Sequence, residues 1–284
     1  MEYYVVIPAH NEEDYLAEML DSLLAQTVLP KKIVIVNDHS TDGTEAIIDT
    51  YTEKSTLLQK LNRSSAAEHM PGSKVIEAFN HGLTVLDNAY DVIVKLDADL
   101  LLPPTYFERI AQHFTADPSI GIAGGFIYEK TSTGDWKINH PMDKDHIRGA
   151  FKAYSKACFN AIGGLKNAMG WDTIDELLAK YHGFSLLTDT SLVVKHLRPT
   201  GKSYTPKTRT LQGKAMYTMR YGFLITCIAS LKMAYHQKSI GMFKQNMTGF
   251  FNAKKAGAPF LINKEEGAFI RRLRWKNIRG KILK

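Results

Sequence analysis

The feature that most constrains the fold is the order of segments. Through the first 130 residues, short runs rich in Val and Ile alternate with longer amphipathic ones. YYVVIPAH, KKIVIVND, a shorter run near LLQKLN, YDVIVKLDAD and IGIAGGFIYEK read as strands. Between them NEEDYLAEMLDSLLAQ, HSTDGTEAIIDTYTE, PGSKVIEAFNHGLTVL and PPTYFERIAQHF read as helices or turns leading into helices. The acids opening the first and the prolines opening the last suit a helix N-terminus. This alternation predicts an α/β domain, a mostly parallel central sheet flanked by helices. After Lys130 the pattern loosens. KTSTGDWKINHPMDKDHIRG reads as a connection or strand pair, AYSKACFNAIGGL as a helix ending in glycines, GWDTIDELLAKYHGF as a helix and SLLTDTSLVVKHLRP as a late strand. From about Leu211 the chain is helical in character. The expected division is a body over 1–210, in halves 1–100 and 101–210, and a helical, basic extension over 211–284.

In a parallel sheet, ligands bind beyond the carboxyl ends of the strands. That rule gathers PAHNEE, NDHSTDGT and the DAD of VKLDADLLLPP on one edge. Asp97 and Asp99 are the expensive members, because carboxylates at the edge of an apolar layer need a metal, a cation or water to hold them. Each motif alone has a plain reading as a solvated strand end or a helix cap. Convergence of three is harder to assign to strand endings. GxxxxGK[ST] is absent and GIAGG lacks the spacing of a dinucleotide fingerprint. Holding a diphosphate without such a cradle calls for a divalent cation, and oxygen ligands suit Mg²⁺ or Mn²⁺.

In this order and spacing, PAHNEEDYLAEMLDSLLAQT, VNDHSTDGT, PGSKVIEAFNHGL and KLDADLLLPP resemble an inverting family 2 glycosyltransferase with the GT-A fold, over roughly residues 3–200. The resemblance implies a metal-dependent enzyme moving a sugar from a nucleotide-diphosphate donor, with 1–100 as nucleotide-binding half and 101–210 as acceptor and base half. It implies that Pro8, His10, Asn11 and Glu12 cradle the nucleotide, that Asp38 meets the base, and that Lys74 approaches base or diphosphate. Asp97 falls by the ribose and Asp99 on the metal. Family members carry a Glu-Asp pair after a glycine-rich acceptor segment, and GGLKNAMGWDTIDELL has Trp171-Asp172 there. Asp172 is the candidate base and Asp175 the alternative; both acids also suit a plain helix N-terminus. Late in the body, VVKHLRPTG offers His196 as a metal ligand and Arg198 as a phosphate partner, against a structural reading of the lone His. In GKAMYTMRYG, Tyr217, Arg220 and Tyr221 are placed by position in an acceptor region.

The net charge of +7 equals the seven Lys and Arg of FIRRLRWKNIRGKILK, residues 269–284, which hold no acid. Such a tail suits an anionic membrane surface, with a solvated tail as the plain reading and nucleic acid disfavoured. YGFLITCIASLKMAY is apolar nearly all round, but it carries Lys232 and falls short of the roughly 20 residues of a spanning helix. A buried or interfacial helix is expected. Two cysteines and an acid at position 2 point to reduced thiols and no secretory leader. The expected setting is cytoplasmic, peripheral on the inner face of the cell membrane. Expected partners are a nucleotide sugar and a glycan or polyprenyl-linked acceptor in bacterial surface polysaccharide synthesis. A catalytically impaired binding protein and a sugar-nucleotide pyrophosphorylase are the alternatives, the latter lacking its GxGxR loop.

Overall fold

A computed structural model of the chain describes residues 1–64, 72–131, 133–138, 146–198 and 206–282. It divides into two compact units, Met1–Asn167 with His182–Thr200, and Ala168–Tyr181 with Gly201–Lys284. Residues 168–181, assigned from sequence to the body, thus group with the C-terminal helices.

The first unit is built on one sheet. Strands β1 (Tyr3–Ala9), β2 (Lys32–Asp38), β3 (Leu58–Arg63) and β4 (Val92–Leu96) run parallel in the order β3-β2-β1-β4. Their apolar runs are covered on both faces: Tyr4, Val5, Val6, Ile7, Val34 and Ile35 are all fully buried. Helices α1 (Leu16–Leu24), α2 (Thr44–Lys54) and α3 (Ser73–Leu83) are the connections. Beyond β4 the sheet becomes mixed. It continues through β8 (Phe151–Ser155), β6 (Ile120–Lys130), β9 (Ser185–His196) and the two-residue β5 (Leu100–Leu101). Strand β8 is antiparallel to both β4 and β6, β9 is parallel to β6, and β5 is antiparallel to β9. The expected parallel sheet therefore holds for its first four strands.

Three local expectations change. Helix α1 starts at Leu16, so Glu12, Glu13 and Asp14 lie in the loop before it, where the Glu12 carbonyl accepts from the amides of Tyr15 and Leu16. The Glu13 carboxylate instead accepts from the Gly43 amide at the start of α2, where the helix dipole favours it. In AYSKACFNAIGGL the first residues belong to β8, and helix α5 is confined to Lys156–Ala161. Helix α4 (Tyr106–Ala116) begins after both prolines, with Thr105 at its N-cap. Of the polar connection, Trp136–Lys137 forms β7 against the end of β6, and residues 132 and 139–145 lie outside the described residues.

The second unit is helical: α6 (Trp171–Tyr181), α7 (Pro206–Thr218), α8 (Phe223–His236), α9 (Ile240–Lys255) and α10 (Lys264–Ile282). Helices α7 and α9 cross with backbones in contact, because a Cβ on Gly213 would lie 1.8 Å from the Asn246 carbonyl oxygen and one on Gly249 1.9 Å from that of Thr210. The basic tail is part of α10, with Ile270 fully buried and Phe269 edge-on to Tyr181 at 5.5 Å. Among the described residues no helix is long and apolar enough to cross a membrane.

Candidate active site

Parallel register brings the ends of β1, β2 and β4 to one edge, with Ala9 opposite Asn37 and Val6 opposite Lys95. The loop after β1 is tied to the loop after β2. Asn11 takes a left-handed backbone, φ 55°, which Asn tolerates better than most residues. Its side-chain oxygen accepts from the Thr41 amide at 2.8 Å, and its own amide donates to Ser40 Oγ at 3.1 Å. His10 Nδ1 donates to the Asp38 carbonyl at 2.6 Å, which leaves the exposed ring's other nitrogen outward. Pro8 is the penultimate residue of β1 and needs no ladder donor there.

Asp38 ends β2 almost buried. One carboxylate oxygen takes Arg63 at 3.3 Å, and Arg63 is held by Glu77 at 2.6 Å. The other oxygen, Oδ1, is buried without a hydrogen-bond partner. An unsatisfied buried acceptor is costly and marks a place where a ligand N–H or O–H fits. Lys74 stands in the first turn of α3.

The second cluster forms because β5 and β9 pair with Leu100 opposite His196. That register brings residues 97 apart in sequence into contact: His196 Nε2 lies 3.1 Å from Asp99 Oδ2. Arg198 follows, its Nε 3.6 Å from the same oxygen and its NH2 donating to Glu12. Burial would push the Asp99 carboxyl up, but the His196 hydrogen bond and the charges of His196 and Arg198 bring it below the ordinary carboxylate value. Burial would depress His196, yet the Asp99 bond and the surrounding carboxylates raise it. Asp97 is bonded by the buried Lys95 and moves up, chiefly through desolvation. Glu12 is pushed to about 7 by burial, opposed by Arg198 and assisted by Asp99 and Asp97. Three carboxylates, Asp97, Asp99 and Glu12, thus meet Lys95, His196 and Arg198 at a strand edge.

Among the described residues no group of three or more His, Cys, Asp or Glu is arranged to hold a metal. Asp99 and His196 nonetheless fit a partial site. Their facing atoms are 3.1 Å apart, close to the roughly 3 Å between adjacent ligands at octahedral bonds of about 2.1 Å. Two protein ligands completed by substrate phosphates is the usual arrangement for Mg²⁺.

In the helical unit, Asp172 sits half-buried in the first turn of α6, while Asp175 is 1% exposed and its Oδ1 accepts from the Glu176 amide. Tyr221, placed by position in an acceptor region, is buried, with its hydroxyl taking Arg274 at 2.6 Å. Arg220 is engaged by the Phe260 ring and the Ile262 carbonyl, and Tyr217 packs between Phe250 and Phe260.

The profile of glycosyl transferase family 2 matches residues 4–171. The chain belongs to glycosyl transferase family 2. An uncharacterized glycosyltransferase of Mycoplasma pneumoniae is 32% identical to this family 2 chain over 178 residues, 59% of the chain and 57% of that protein. The chain therefore spans little more than half of that relative. Among solved structures, a mannosyltransferase from Pyrobaculum calidifontis in complex with GDP-Man and Mn²⁺ superposes with TM-score 0.58 at 17% identity, covering 95% of this chain and 78% of that one. S. aureus TarS in complex with UDP-GlcNAc gives 0.56 at 18%, covering 75% and 65%. The fold is GT-A.

Two residues of this family 2 site escaped sequence reading. Lys95 was visible as a charge inside the apolar run VIVKL, two residues before Asp97 and so on the same strand face. Arg63 ends β3 on the ligand-side edge, but nothing in LQKLNR distinguishes it from a solvated strand end.

Proposed function

We propose that this chain is a metal-dependent, inverting glycosyltransferase that moves a sugar from a nucleotide-diphosphate donor to a glycan or polyprenyl-linked acceptor. The observation that carries the reading is the convergence of Asp99, His196, Arg198 and Glu12, on the same sheet edge as Asp38, whose buried Oδ1 has no hydrogen-bond partner. The complexes of the structural neighbours with GDP-Man and Mn²⁺ and with UDP-GlcNAc support the donor class.

Asp38 Oδ1 accepts a hydrogen bond from the nucleobase, within a loop shaped by Pro8, His10 and Asn11. Lys74 neutralises base-side or diphosphate charge. Asp97, kept ordered by Lys95, accepts from a ribose hydroxyl. Asp99 and His196 hold Mg²⁺ or Mn²⁺, which when bound supplies positive charge for the departing diphosphate. Arg198 serves the same phosphates, and Glu12 fixes its guanidinium. Asp172 is the base: it takes the proton of the acceptor hydroxyl as that oxygen bonds to the anomeric carbon and the carbon–phosphate oxygen bond breaks on the opposite face. Asp175, buried, is the less accessible alternative. The catalytic domain spans 1–210, with 211–284 as its extension. The setting is the cytoplasmic face of a bacterial membrane, contacted through the basic residues 269–284, in surface polysaccharide synthesis.

A second reading, a catalytically impaired donor-binding protein, is favoured by Trp171, which stands buried where the family carries an acid. The test is thermal shift with UDP-, GDP- and dTDP-sugars, with and without Mn²⁺, followed by transfer assays. One nucleotide should stabilise the protein in a Mn²⁺-dependent way, and Asp172→Asn should lower kcat at least about 100-fold with donor binding intact. Absence of any donor stabilisation sinks the proposal; donor binding without turnover selects the second reading.

A further inference from the structure

Helix α8 buries one face and leaves an apolar one exposed. Ile225, Thr226, Ser230 and Ala234 are buried, while Leu224, Ile228, Leu231 and Tyr235 are 62, 37, 49 and 82% exposed. The spacing of the exposed set, i, i+4, i+7 and i+11, puts it on one continuous outer stripe. Phe223 and Phe251, about half exposed with ring centroids 5.9 Å apart, extend the patch, and Ile240 is 70% exposed at the start of α9. A contiguous surface of this kind on a soluble fold marks an interaction site.

Charge identifies the occupant. Residues 201–264 contain no Asp or Glu, and Lys232, Lys238, Lys244, Lys254 and Lys255 are exposed on and around α8 and α9. A second copy docking the same face would bring lysines against lysines with no carboxylate to meet them. A bilayer with anionic headgroups offers both an apolar boundary and fixed negative charge. We propose that the outer face of α8 docks on an anionic lipid bilayer, with Leu224, Ile228 and Leu231 entering the boundary between headgroups and acyl chains. The flanking lysines keep their ammonium groups at the phosphates, their stems lying along the apolar surface. This deepens the membrane association proposed above and rests on it, while moving the apolar contact away from residues 269–284. There Ile270 is fully buried and Phe269 lies against Tyr181, while the exposed Arg272, Lys276 and Arg279 supply charge.

The experiment is co-sedimentation of the full chain with phosphatidylcholine vesicles, with and without phosphatidylglycerol, and no donor or acceptor present. The wild type should bind the anionic vesicles. Leu224→Ser, Ile228→Ser and Leu231→Ser together should lower the partition coefficient at least tenfold, whereas Arg272→Gln, Lys276→Gln and Arg279→Gln together should lower it only a few-fold. The serine substitutions fall on exposed positions, and an unchanged Tm reports that they leave the fold intact. Brominated acyl chains should quench Tyr235→Trp fluorescence more than that of the wild type, whose three tryptophans set the background. Failure of the wild type to bind, equal binding by the serine variant, or loss only with the α10 variant would overturn the proposal. So would a wild-type dimer that the serine variant breaks. Donor thermal shift is measured separately, so failure of the transferase reading leaves this result standing.

Discussion

Replacing Asp99 with Asn separates the cost of the carboxylate cluster from its use. In the folded protein Asp99 Oδ2 takes His196 at 3.1 Å and faces Arg198 at 3.6 Å. A hydrogen bond to a charged group is worth about 1.5–3 kcal/mol, and the Asn side-chain oxygen keeps a neutral version worth about 0.5–1.5 kcal/mol. The loss is therefore about 1 kcal/mol. Against it stands relief of repulsion, since Asp99 raises the carboxyls of both Asp97 and Glu12. The two effects offset, and Tm should move by no more than about 2–4 °C in either direction. Function should behave differently. Removing one of two candidate metal ligands should weaken Mn²⁺-dependent donor binding by at least about 100-fold, beyond what changes to outer-shell partners produce. Differential scanning fluorimetry with and without Mn²⁺ and donor reads both quantities. A variant that retains the Mn²⁺-dependent shift refutes the metal role. One whose unliganded Tm falls by 10 °C or more refutes the balance of terms, at about 2–4 °C per kcal/mol.

Asp38→Ala should weaken donor binding by about tenfold, the loss of one hydrogen bond of roughly 1–1.5 kcal/mol, and isothermal titration against the free nucleotide checks it. Gly249→Ala sets helix propensity, which favours Ala by about 1 kcal/mol, against a Cβ placed 1.9 Å from the Thr210 carbonyl oxygen. Forcing α7 from α9 costs more, about 1–3 kcal/mol for overpacking and rising with backbone displacement, so Tm should fall, and an unchanged Tm would show that the crossing yields freely. Asp189 is held near 2: burial pushes its carboxyl up, but bonds from Ser191 and His113 outweigh it. A depressed carboxyl stabilises the fold above its unfolded value of about 4 and loses that contribution as pH falls toward 2. Asp189→Asn should therefore lower Tm by about 2–4 °C at neutral pH, with the difference from wild type shrinking below about pH 4. A difference that does not depend on pH would assign the loss to packing.

How much of this was legible in the sequence depended on whether the information was local. The parallel half was readable because each strand there is a short Val- and Ile-rich run that ends in polar residues, and the rule about carboxyl ends then put PAHNEE, NDHSTDGT and DAD on one edge. Beyond β4 the strands lose that local signature. FKAYS carries a lysine that is nevertheless fully buried, so its pattern gives no strand signal, and its last three residues, AYS, read as the opening of the helix that follows. The acids of NEED suit a first turn of α1, but Glu13 accepts from the Gly43 amide at the start of α2, across a loop. A carboxylate near a helix start does not by itself say which helix it serves. The pairing of the candidate metal ligands is equally hidden: Asp99 and His196 meet only because a two-residue strand pairs with β9 in a particular register. Shifting that register by one residue would turn His196 to the other face of the sheet. Arg198 would then lose Asp99 and Glu12 together, which makes the β5–β9 pairing a condition for the site as much as any of the side chains it gathers.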